Sequence, residues 1–109
     1  MSTVSTHVLD TALGSPAKGV RVTLERDHSL IGSGVTDEDG RVRDLLERGS
    51  SLGEGEYKLT FSVGEYFAAS KTPTFYTKIV ITFLVEGGGG HYHVPLLVSP
   101  YGYSTYRGS

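Results

Sequence analysis

Cysteine is absent from the 109 residues. That removes any disulfide framework, thiolate metal site or cysteine nucleophile, and leaves the redox compartment open. Long apolar runs are missing as well. The longest, Ile79 to Val85, is far shorter than the ~20 residues of a membrane-spanning helix. No basic region followed by an apolar one opens the chain (Met1-Ser2-Thr3-Val4-Ser5-Thr6), so no secretory signal is expected. The expected location is cytoplasmic, or periplasmic or peroxisomal if a leader was removed. An excess of positive charge is missing too. Ten Lys and Arg stand against 12 Asp and Glu, for a net charge of −2 and a pI near 6.0. This lacks the basic field that nucleic-acid binding requires.

What is present is a chain of one-domain size, residues 1–109, whose 38% hydrophobic content can form a core. Strand-like alternation dominates. Val20, Val22 and Leu24 alternate with Arg21, Thr23 and Glu25; Tyr57, Leu59, Phe61 and Val63 alternate with Lys58, Thr60 and Ser62. Ile79, Ile81 and Phe83 occupy one phase of a third run. Period-2 patterns rich in β-branched and aromatic residues are the signature of half-buried strands. Glycine, at 15 residues, is about twice as frequent as average and mostly separates these runs. The pattern predicts an all-β sandwich or barrel. One exception, Gly64 to Lys71 ahead of Thr72-Pro73, predicts a short helix that needs a sheet to pack on. The Gly87-Gly88-Gly89-Gly90 tract lies between two strand patterns and reads as a hairpin loop.

Of the four histidines, His91 and His93 share a strand with Tyr92, Val94, Leu96 and Val98. If that apolar set faces the core, both imidazoles point outward or toward a partner subunit. Pro95, lacking an N–H, predicts an edge strand or a bulge at that point. The pair is open to three readings: exposed surface residues, a metal grip that lacks placed third and fourth ligands, or a general acid/base near neutral pH. Thr36-Asp37-Glu38-Asp39-Gly40-Arg41 carries the Asp-Gly signal of a hairpin turn. It sets Arg41 at the start of a strand, where its guanidinium could clamp a planar anion. Tyr101, Tyr103 and Tyr106 argue for an ordered strand near the C-terminus rather than a frayed tail.

Several segments occur in order: Thr6-His7-Val8-Leu9-Asp10-Thr11, Gly14-x-Pro16-Ala17, Asp39-Gly40-Arg41, His93-Val94-Pro95-Leu96-Leu97 and Tyr106-Arg107-Gly108-Ser109. Together they resemble the transthyretin-related 5-hydroxyisourate hydrolases, from residue 6 to the last. The resemblance implies a transthyretin-like two-sheet β-sandwich of about eight strands with one short helix. It further implies a homotetramer, a dimer of dimers with sites at the subunit interface, and a small-molecule substrate, 5-hydroxyisourate. No metal or organic cofactor is implied. The family's catalytic set maps onto His7, Arg41 and His93, with His7, Arg41, Tyr106 and Ser109 as substrate-binding residues. His28 and His91 match none of these motifs and are expected to be surface histidines. Asp37 stands where Asn is common in the family, and Thr77 follows Phe75-Tyr76 where Pro is common. Transthyretin, a carrier that shares the fold without the hydrolase activity, is the alternative. The residue set and the terminal tetrapeptide favour the enzyme.

Overall fold

The computed structural model describes residues 2–46, 50, 52–87 and 90–109. In chain order the elements are β1 (Ser2–Asp10), β2 (Ser15–Pro16), β3 (Arg21–Arg26), β4 (Ser29–Val35) and β5 (Arg41–Val42). There follow β6 (Gly55–Phe61), α1 (Val63–Ala69), β7 (Ile79–Val85), β8 (Gly90–Ser99) and β9 (Gly102–Thr105). They form two sheets. One runs β4-β3-β6-β7, antiparallel throughout; the other runs β2-β1-β8-β9, with β5 pairing β1 as well. The expected all-β, two-sheet sandwich with one short helix is the observed architecture, with nine strands among the described residues where about eight were expected.

The inward faces are those the alternation selects. Val22 and Leu24 of β3, Tyr57, Leu59 and Phe61 of β6, and Tyr92, Val94, Leu96 and Val98 of β8 are all buried. Each fully buried apolar side chain of this size contributes roughly 1.5–3 kcal/mol. Val63, the last member of the second alternating run, leaves the strand and opens α1 instead. Its side chain and that of Phe67, one turn on, are the buried residues of the helix, so a seven-residue helix persists by packing rather than propensity.

The centre of the site-bearing sheet is a parallel pair. β1 and β8 align in register with Ser5 opposite His93 and His7 opposite Pro95. On its other edge β1 meets β5, placing His7 opposite Arg41. In-register neighbours share a sheet face. One face of the sheet therefore carries Ser5, His7, Arg41, His91 and His93, while Val4, Thr6 and Val8 point into the core.

Three local expectations are corrected. Pro95 does not lie on an edge strand, because β8 is flanked by β1 and β9. The ladder to the tail lapses there instead: Leu96 pairs Thr105, His93 bridges Gly108, and the residues between are unpaired. Pro95 has no N–H to give that side, and its carbonyl accepts from the Thr105 hydroxyl at 2.6 Å. The Asp37–Arg41 turn is not a hairpin either, since β4 and β5 belong to different sheets; it carries the chain from one to the other. The glycine tract likewise joins strands of different sheets, β7 and β8. Gly88 and Gly89 lie outside the described residues.

Candidate active site

Arg41 is set by its turn. The Asp37 carboxylate accepts the backbone N–H of Asp39 at 2.9 Å and of Arg41 at 3.0 Å, and the N–H of Gly40 donates to the Asp37 carbonyl. These bonds, that to Arg41 foremost, hold the Asp37 carboxyl below its usual range. Only acceptor oxygens are used here, which an Asn side chain also provides. Gly40 has φ +75°, a left-handed conformation, and its position is closed to any side chain by the Val8 carbonyl of β1. Turn and strand are thereby locked together, and Arg41 emerges beside His7.

His93 is held on two sides. Its Nδ1 lies 2.7 Å from Ser5 Oγ, which is also 2.9 Å from His91 Nε2. His91 Nδ1 meets the Thr3 hydroxyl. The two imidazoles are nearly parallel, 13° apart, with centroids at 6.2 Å. On the other side lies the tail, where the Gly108 N–H donates to the His93 carbonyl at 2.9 Å. Burial, then the charge of Arg41, then those of His91 and His7, hold the His93 pKa below the ordinary 6.5. A neutral imidazole therefore persists beside a permanent cation at neutral pH.

These groups line an open pocket of about 260 Å³, formed by Ser5, Thr6, Arg41, Val42, Arg43, His91, His93 and Ser109. Its lining side chains include two guanidiniums and two imidazoles and no Asp or Glu, so it suits a planar ligand with electron-rich oxygens. Of the residues singled out in the sequence, Arg41, His93 and Ser109 meet here. Tyr106 does not. It lines the adjoining pocket of about 320 Å³ with Ile81, Phe83, Tyr92 and Arg107, and His93 is the wall between the two. His7 stands on the same sheet face, next to Arg41 in register, and lines neither pocket. Arg107 is engaged structurally, its guanidinium carbon 4.9 Å from the Tyr92 ring centroid.

Sequence reasoning did not single out Ser5 or Arg43, which also line this pocket. His91, paired with His93 on one strand face in the sequence and then expected to be a surface histidine, is exposed but lines the pocket as well. Ser5 had no signal in the sequence, because its place beside His93 depends on the pairing of β1 with β8, 88 residues apart. The exposed His28 is remote from this site, lining a separate charged pocket with Glu25, Asp27 and Lys58. Among the described residues no three His, Cys, Asp or Glu side chains gather as a metal site.

Residues 4–108 match the model of the HIUase/Transthyretin family. A 5-hydroxyisourate hydrolase of Deinococcus radiodurans is 48% identical over 114 residues, covering 97% of this chain and 95% of its own. The structure of Klebsiella pneumoniae 5-hydroxyisourate hydrolase superposes with a TM-score of 0.90 at 39% identity, covering 99% of this chain and 100% of that one. Transthyretin from Sparus aurata superposes nearly as well, with a TM-score of 0.89, at only 25% identity, covering 99% and 97%.

Proposed function

The chain belongs to the HIUase/Transthyretin family, and from that premise we propose that it is a hydrolase converting 5-hydroxyisourate to 2-oxo-4-hydroxy-4-carboxy-5-ureidoimidazoline, a step of urate degradation. The observation that carries this reading is the meeting of the His93 imidazole, its pKa held below 6.5, with the Arg41 guanidinium in one pocket. It is supported by the full-length likeness to proteins named as that hydrolase.

In this mechanism His93 takes a proton from water as the oxygen attacks a ring carbonyl. Arg41 holds the polar edge of the substrate and stabilises the oxyanion that develops. Collapse of the tetrahedral intermediate breaks the carbon–nitrogen bond of the ring, and the departing nitrogen receives the proton back. Ser109 orients the substrate from the floor of the pocket. Tyr106 caps it from the adjoining one, and His7 adds a second imidazole beside Arg41.

The proposed assembly is a homotetramer, a dimer of dimers, with each open pocket completed by a neighbouring subunit. Half-exposed or exposed Tyr103 and Tyr106 at the tail agree with a surface that another subunit covers. Light scattering reads the mass directly, and a monomer would overturn the tetramer.

The activity is tested by an ultraviolet time course on 5-hydroxyisourate generated in place from urate by urate oxidase, with spontaneous decay as baseline. Decay accelerated in proportion to added protein, and lost with Arg41→Ala, is expected. Decay no faster than in buffer, from correctly folded protein, would overturn the hydrolase reading.

A further inference from the structure

We propose that Ser5 is a positioning residue for His93: its buried hydroxyl, shared with His91, determines which nitrogen of His93 carries the proton and links the two rings as a proton relay. The proposal rests on the hydrolase reading above for its catalytic consequence, but not for its structural one.

A serine hydroxyl has one proton to give and two lone pairs to receive. Ser5 Oγ lies between His93 Nδ1 at 2.7 Å and His91 Nε2 at 2.9 Å, and among the described residues it has no third partner. Two arrangements use every proton. In the first, His93 Nδ1–H donates to Ser5, Ser5 donates to His91 Nε2, and His91 Nδ1–H donates to Thr3. In the second, every donor and acceptor is reversed. Only the first leaves His93 Nε2 as a bare lone pair, able to act as a base. Arg41, a donor with no acceptor atoms, lines the same pocket as His93 and favours that lone pair over a second N–H.

The chain also removes a difficulty of charge. Arg41, His91 and His7 all disfavour a protonated His93. When His93 Nε2 takes the proton of the attacking water, its Nδ1 proton can pass to Ser5 Oγ while the Ser5 proton passes to His91 Nε2. The positive charge then resides on His91, which is exposed to solvent. When the ring carbon–nitrogen bond breaks, the transfers reverse and His93 Nε2 protonates the departing nitrogen. No atom or electron pair is gained or lost.

The experiment compares wild type, Ser5→Ala and Ser5→Thr as full-length protein. Long-range proton–nitrogen NMR reads the His93 tautomer, and the 5-hydroxyisourate assay reads kcat and KM. Wild type is expected to hold the proton on His93 Nδ1. Ser5→Ala should move it toward Nε2 and lower kcat by about tenfold or more, within the ~10²–10⁴ that a general base supplies, with KM unchanged because Ser5 acts through His93. Ser5→Thr, which keeps the hydroxyl, should retain the wild-type tautomer and kcat. An Ala variant with unchanged tautomer or unchanged kcat overturns the proposal, as does a Thr variant that behaves like Ala. Should wild type fail to hydrolyse the substrate, the functional reading falls, while the NMR comparison still decides whether Ser5 positions His93.

Discussion

Gly108 lies against the edge of the His93 imidazole so closely that a Cβ there would overlap Cδ2 and stand 3.2 Å from Cγ. Their backbones are bonded, Gly108 N–H to His93 carbonyl at 2.9 Å. The tail therefore shapes the site from both ends, pinning Arg107 on Tyr92 and bringing Ser109 into the Arg41 pocket.

Gly108→Ala should consequently damage catalysis while sparing the fold. The added methyl must displace either the imidazole or the tail, and a misplacement of about 1 Å can cost on the order of 100-fold in rate. Steady-state kinetics alongside thermal unfolding checks this; wild-type kcat in the variant would show that the tail yields at no cost.

The titration of His93 should fall below the ordinary 6.5, because burial and the charges of Arg41, His91 and His7 all oppose the imidazolium. The base thus keeps its neutral form to a lower pH than a free histidine does, and the acid limb of kcat should lie below 6.5. Arg41→Gln removes one of these charges and should raise the midpoint. NMR titration of the ring reads the sign independently of activity.

Replacing either site imidazole should slow turnover, with His93→Ala the larger effect. A positioned general base is worth ~10²–10⁴ in rate, and His93 lines the pocket whereas His7 only adjoins it. Full activity in either variant removes that histidine from the mechanism.

Tyr66 and Asp10 tie the helix to the sheet. The phenol donates to the buried Asp10 carboxylate at 2.7 Å, while the other carboxylate oxygen accepts the N–H groups of Ala12 and Leu13. Burial, with the hydrogen bond and charge of Asp10, pushes the Tyr66 pKa up to about 12, so it stays a donor across the working pH range. Tyr66→Phe should cost about 1–3 kcal/mol, as expected when a buried acceptor loses a partner, with kcat unchanged. Urea denaturation measures the first and the hydrolase assay the second.

The two-sheet arrangement was legible because alternation at Val22–Leu24, Tyr57–Phe61 and Tyr92–Val98 is local information: side chains alternate faces by backbone geometry alone. The short helix was legible for a similar reason, from Ala68, Ala69 and the proline beyond. Turn chemistry misled where it was most familiar. Asp39-Gly40 specifies a left-handed turn residue, but not which sheet receives the strand that follows. Pro95 correctly announced a lost ladder bond, and only the assembled sheet revealed that the loss falls inside it, opposite the tail.

By itself, the order of residues determined the strand faces, the core and the chemical types available at the surface, since all three follow from local periodicity and composition. The tertiary structure alone decided which of those side chains meet. Ser5 reaches His93 across 88 residues, and Arg41 reaches the same face through a turn locked onto β1. Tyr106 and Ser109, three residues apart, are sent to opposite sides of one imidazole. Such pairings depend on register between distant strands, and register is a property of the packed sheets rather than of any segment within them.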